Sequence, residues 1–202
     1  MHPYATDSHE RKTVPLILAM LAIGSAYGLS WLLGVTSLQD KLWWLEIPSV
    51  LGFYGFLWWL FDRCIWKWKL LRTVGLVRVP DFNGRWRGHG ISSYLREDGN
   101  RAEFDFQLEI GQEWTRLHVR METAESASDS LIGAIVVGDG RRATLSYEYE
   151  SHPRASAVET MQIHRGSARL ERVNDDDSLE GEYYTGRGRQ NYGEMKLQRI
   201  SR

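Results

Sequence analysis

A single cysteine, Cys64, stands in 202 residues. That excludes an intramolecular disulfide and leaves nothing to argue for an oxidising compartment. Lysine is nearly missing from the second part of the chain. Of the seventeen cationic residues after residue 78, sixteen are Arg and only Lys196 is Lys. The planar guanidinium fork grips phosphate at two points, so this bias hints at anion recognition, although a GC-rich genome produces the same bias. The six histidines (His2, His9, His89, His118, His152, His164) form no HxH or HxxxH pair, so no metal site of familiar spacing is present. There is no GxSxG elbow, no phosphate-binding GxxxxGKS or GxxxxGKT loop, no internal repeat and no low-complexity tract. Asp175-Asp176-Asp177 lacks the ligand spacing of a calcium loop and reads as a solvated hairpin tip. No catalytic constellation emerges. The expectation is a protein that is not an enzyme and holds neither cofactor nor metal.

Charge of either sign is missing from residues 14–35, VPLILAMLAIGSAYGLSWLLGV. A stretch of about 20 apolar residues crosses a hydrocarbon core, and this one is too long for the usual core of a signal peptide. Residues 42–61 form a second candidate span, with Glu46 and Pro48 near its start. Trp43 and Trp44 at one end and Trp58, Trp59, Trp66 and Trp68 at the other resemble interfacial aromatic belts. A helical hairpin buried in a soluble protein is the alternative. Only residues 36–41 separate the two spans, so they must run antiparallel. Arg11 and Lys12 precede them and Arg63, Lys67, Lys69, Arg72 and Arg78 follow, against Lys41 alone in the turn. The positive-inside rule then puts both ends in the cytoplasm. The domain reading is a cytoplasmic N terminus at 1–13, a two-span hairpin at 14–61, a basic amphipathic linker helix at 62–79 and a β domain at 80–202. Gly24 and Gly28, four apart on one helix face, allow close helix approach, and Glu46 offers a polar contact between protomers; all three are candidates for membrane assembly. Glu46 also reads as an interfacial carboxylate that reaches water.

After Pro80 the apolar period becomes two. Phe104, Phe106, Leu108 and Ile110 alternate with Glu103, Asp105, Gln107 and Glu109. Further strands are expected at 84–95, 116–122, 130–137, 143–150, 158–165, 167–173, 179–185 and 192–200. Turn signals fall at Asp98-Gly99-Asn100, Gly111-Gln112, Gly138-Asp139-Gly140, Arg165-Gly166 and 174–177. The fold class expected is an N-terminal two-helix transmembrane hairpin followed by an all-β domain: a closed antiparallel up-and-down barrel of about eight strands, with a β-sandwich as the alternative.

Tyr147, Tyr149 and Tyr183 fall on inward faces, where a ring offers a stacking surface and a hydroxyl. The TGRGRQN stretch brings Arg187, Arg189 and Asn191 to the entry of the last strand, where backbone N–H groups and guanidinium groups suit an anion. Core tyrosines and a solvated hairpin loop explain the same residues. In FNGRWRGHG, alternation puts Gly84, Trp86, Gly88 and Gly90 on one face and Asn83, Arg85, Arg87 and His89 on the other. The two arginines therefore cannot sandwich the tryptophan. An inward Trp86 floors the barrel, partnered by Arg187 or Arg199 from another strand, and is also a ligand candidate.

A two-span hairpin, a short basic helix and a β domain that opens with PDFNGRWRG and closes with YYTGRGRQNYGEMKLQR resemble the two-transmembrane β-barrel, SMODS-associating effectors of bacterial CBASS anti-phage systems. The resemblance implies that the barrel binds a cyclic dinucleotide or related cyclic oligonucleotide made by a partner nucleotidyltransferase. It also implies that the protein self-associates into oligomers and that its spans act on membrane lipid, disrupting the inner membrane so that the cell dies. No DNA or RNA duplex is among the expected partners. The alternatives are a membrane-tethered, lipocalin-like carrier of an apolar small molecule and a scaffold that binds a protein through its outer face.

Overall fold

The structure, a computed structural model, describes residues 1–35, 46–138, 142–158, 162–172, 177–187 and 190–201, with residues 46–49 by their backbone alone. The chain divides into two units. One is residues 8–78; the other joins residues 1–7 to residues 79–202.

In the first unit, α1 (Glu10–Val35) is the one helix among the described residues that is long and apolar enough to cross a membrane. Helix α2 (Glu46–Arg63) packs against it. The second expected span, 42–61, begins outside the described residues. Residues 62–79 do not continue as one helix. A 3₁₀ turn at Ile65–Lys67 and an extended Trp68 intervene before the short α3 (Lys69–Thr73). Gly75 then ends α3 at a positive φ of 73°. It donates to the Arg72 carbonyl at 3.0 Å while Leu76 donates to Leu71 at 2.9 Å, a Schellman stop that satisfies the last carbonyls.

The β unit is a single sheet, which sets the sandwich alternative aside. Strands β2 (Gly84–Leu95), β3 (Arg101–Gln112), β4 (Arg116–Glu122), β5 (Ser126–Val136), β6 (Thr144–Pro153), β7 (His164–Arg172), β8 (Ser178–Thr185) and β9 (Tyr192–Ser201) each pair antiparallel with the next, and β9 pairs with β2. The ring is a closed barrel.

Its ninth strand comes from the other end of the chain. The segment expected as a separate N terminus at 1–13 contributes β1 (His2–Thr6), which lies antiparallel to β4 at His2 and Pro3 and parallel to β5 from Tyr4 to Thr6. The reason is a split in the wall. Strands β4 and β5 pair directly only from Arg120–Asp129 to Glu122–Ala127. Beyond that, a bulge between Ser130 and Ile132 turns β5 away. At the split the Ser130 hydroxyl accepts the Val119 N–H at 2.9 Å and meets His2 Nε2 at 2.8 Å. Farther along, the Asp7 carboxylate accepts the N–H groups of Val137 and Gly138 at 2.8 and 3.2 Å. These bonds hold its pKa below the usual carboxylate value.

Two expected turns are strand. Gly111 and Gln112 end β3, and Arg165-Gly166 lies inside β7; of the expected strand 158–165, Val158 instead follows a 3₁₀ turn at Ala155–Ala157, residues 159–161 lie outside the described residues, and His164 and Arg165 already belong to β7. Gly166 is there for close approach. A Cβ at this position would stand 2.3 Å from the Tyr184 carbonyl oxygen and 2.5 Å from the Tyr149 hydroxyl.

Candidate functional site

The two ends of the barrel differ. One is plugged. Trp86 and Phe82 are fully buried there. Phe82 N–H donates to Gln112 Oε1 at 2.8 Å, Gln112 Nε2 donates to the Pro80 carbonyl at 3.1 Å, and Trp86 Nε1 donates to the Phe82 carbonyl at 3.2 Å. Gln112 and Asn83 exchange two further bonds, and the Arg172 and Arg199 guanidinium groups lie over the rings of Phe82 and Trp86. FNGRWRG is thus the plug, with Arg199 supplying the partner for Trp86.

The other end is open. A cavity of about 560 Å³ lies between the mouth-side halves of the strands, a size that suits one drug-sized or dinucleotide-sized ligand. Its apolar floor is Phe104, Tyr149, Tyr183 and Met121, and Ser92, Thr123, Ser126, Ser151, Thr185 and Asn191 surround it with hydroxyl and amide groups. Arg96 brings positive charge and His164 an imidazole, while Glu103, Asp105 and Glu125 stand at the rim. Phe104 meets Tyr183 edge to face, with ring centroids 5.9 Å apart. A polar rim of this kind is not what an apolar carrier calls for.

The ligand candidates separate by depth. Tyr149, Tyr183 and Asn191 line the cavity. Tyr147, two residues along β6, sits a layer deeper with its ring centroid 6.3 Å from that of Tyr149; burial pushes its phenol pKa up, and it does not line the cavity. Trp86 is at the plugged end. Arg187 is exposed in the turn before β9, and Arg189 lies outside the described residues. Asn191 is fixed by a reciprocal pair, its N–H donating to Thr185 Oγ1 at 2.8 Å and its carbonyl accepting from that hydroxyl at 3.0 Å.

Sequence reasoning missed Phe104 as a site residue, along with the whole β4–β5 hairpin, which supplies Met121, Thr123, Ala124, Glu125 and Ser126. Phe104 was legible as an inward residue; only its position at the mouth end of β3 distinguishes it from Phe106 and Leu108.

Residues 77–199 match the sequence model of the Cap15 cyclic dinucleotide receptor domain, and residues 12–67 match that of the Cap15 TM helices. The chain belongs to the Cap15 family. Among curated relatives, CD-NTase-associated protein 15 of Yersinia aleksiciae is 31% identical over 155 residues, covering 77% of this chain and 71% of the relative. CD-NTase-associated protein 15 of Staphylococcus schleiferi is 26% identical over 140 residues, covering 69% and 71%. The barrel is therefore the family's cyclic dinucleotide receptor domain. Membership also accounts for the apolar character of α1.

Proposed function

We propose that this Cap15 chain is a two-pass inner-membrane effector of anti-phage defence. Its cytoplasmic barrel takes one cyclic dinucleotide into the mouth cavity, binding drives copies together through their membrane helices, and the assembled helices disrupt the bilayer and kill the infected cell. The observation that carries this reading is the cavity of about 560 Å³, floored by the rings of Phe104, Tyr149 and Tyr183. Flat bases stack on such platforms, and the hydroxyl and amide rim offers partners to base edges and phosphates. The name CD-NTase-associated protein, carried by both relatives, supports a nucleotidyltransferase as the source of the ligand.

Two crossings are supported by connectivity. The strand before α1 and the chain after residue 78 belong to one folded body, so the excursion between them crosses the membrane an even number of times. Assembly has a candidate surface in Gly24 and Gly28, where a Cβ would find nothing within 4 Å; the Glu46 side chain lies outside what the structure describes. For the ligand to act as a switch it must bind the assembled form more tightly, by about 10⁴-fold to carry a 1:99 equilibrium to 99:1.

The test is the full chain in dye-loaded liposomes, exposed to cyclic di-AMP, cyclic di-GMP, cyclic di-UMP and cyclic GMP-AMP. Dye release with at least one of them, together with a rise in particle size in detergent, is expected. Binding without release would overturn membrane disruption, and absence of binding to any member would overturn the sensing role.

A further inference from the structure

Five of the inward aromatics share a feature that the alternating pattern does not announce: unlike Trp86, which pairs with Leu108, each faces a residue with little or no side chain directly across the ladder. The register pairs Phe106 with Gly88, Phe104 with Gly90, Tyr149 with Gly166, Tyr147 with Ala168 and Tyr183 with Gly193. At the glycines, each ring lies in the space a Cβ would fill. A carbon on Gly88 would stand 2.2 Å from the Phe106 ring, one on Gly90 2.5 Å from Phe104, and one on Gly193 2.6 Å from Tyr183. The rings thus lie flat along the wall, and the lumen above them stays open.

We infer that Gly90 is a specificity-determining position of the receptor. By letting the Phe104 ring lie against β2, it sets how deep a base of the cyclic dinucleotide can seat. The inference rests on the sensing role proposed above. Gly90 and Gly88 are the informative pair because the three nearest atoms to each added carbon all belong to a single ring. At Gly166 and Gly193 the carbon would also meet a backbone carbonyl, so substitution there distorts the sheet itself. The two rings differ in where they can go. Phe106 is 3% exposed and enclosed by the core, so a methyl on Gly88 has to strain the barrel. Phe104 is half-buried and borders the cavity, so a methyl on Gly90 lifts its ring into the ligand's space at little structural cost.

The experiment compares Gly90→Ala and Gly88→Ala in the full chain in nanodiscs, measuring thermal stability and affinity for cyclic di-AMP, cyclic di-GMP and cyclic di-UMP. Gly90→Ala is expected to weaken binding roughly tenfold or more, as loss of a good stacking contact does, with the greater loss for the larger purine ligands. Gly88→Ala is expected to lower the Tm more and to weaken binding less than Gly90→Ala, because the Phe106 ring, with its centroid 5.7 Å from that of Phe104, does not itself border the cavity. A third comparison isolates the ring. On a Phe104→Leu background, adding Gly90→Ala should change affinity little, and this arm stands even where Gly90→Ala alone does not fold. Equal affinity losses in the two glycine variants, no loss in either, or a full loss that persists on the Phe104→Leu background would each overturn the inference. A wild-type chain that binds no member of the panel would instead overturn the sensing role on which it rests.

Discussion

The Arg199 guanidinium lies 4.2 Å from the centre of the Trp86 ring, at the end of the barrel opposite the cavity. It also forms an ion pair with Asp177 Oδ1 at 3.1 Å and donates a hydrogen bond to the Asn83 carbonyl, with a side chain only 5% exposed. A desolvated cation on an indole face contributes about 2 kcal/mol and each bond to a charged group about 1.5–3 kcal/mol. Arg199→Met keeps much of the volume and removes both. It should cost roughly 2–4 kcal/mol, read as a fall in Tm, with no change in cyclic dinucleotide affinity. A variant of wild-type stability would show that the stack is incidental.

Acid should loosen the seam. The Asp7 pKa lies below its ordinary value of 3.8, chiefly because the Val137 N–H bonds to the ionised carboxylate. A depressed carboxylate pKa contributes stability that is present above the unfolded value and lost as pH falls through the folded one. Asp7→Ala should therefore melt below wild type at neutral pH, and the gap should close as the pH drops below 3.8. A gap of constant size would mean that the carboxylate bonds do not hold the strand.

Depth separates two aromatic substitutions. Tyr183→Ala, at the cavity, should reduce affinity by about 1–3 kcal/mol, the usual value of one base–aromatic stack. Trp86→Ala, in the plug, should cost about 3–5 kcal/mol of stability. Calorimetric melting and ligand titration on the same preparations separate the two effects, and the reverse assignment would move the site to the plugged end.

The membrane face is tested by bulk. Gly28→Leu adds a side chain where nothing lies within 4 Å in the single chain. The Tm of the single chain should therefore be unchanged, while dye release falls if copies meet along this face, and apparent ligand affinity falls with it because binding and assembly are coupled. Undiminished release would place the assembly contacts elsewhere.

How much of this was legible follows from what a residue pattern encodes. Alternation marks which face of a strand is apolar, so Phe104, Phe106 and Leu108 were readable as inward. It carries no information about depth along the barrel, and depth is what separates Tyr149 at the cavity from Tyr147 beneath it. Arg165-Gly166 misled because glycine marks both turns and close approach, and only the Tyr149 ring across the ladder distinguishes the two. Strand β1 was illegible for another reason. HPYAT is five residues long, contains a proline and packs one buried side chain, Tyr4, so its place in the sheet depends entirely on a gap between strands made more than a hundred residues later.

That gap has a consequence for biosynthesis. Strand β1 cannot pair until β4 and β5 have been made, more than a hundred residues after it and after α1 and α2. In the two-pass arrangement proposed above, strand β1 waits unpaired through membrane insertion, on the side where the barrel will form. The sheet's longest-range pairing, with its cost in folding time, thereby ties completion of the sensor to correct insertion of the helices. A chain whose α1 enters the bilayer in the wrong direction carries its N terminus away and leaves the barrel with an open seam.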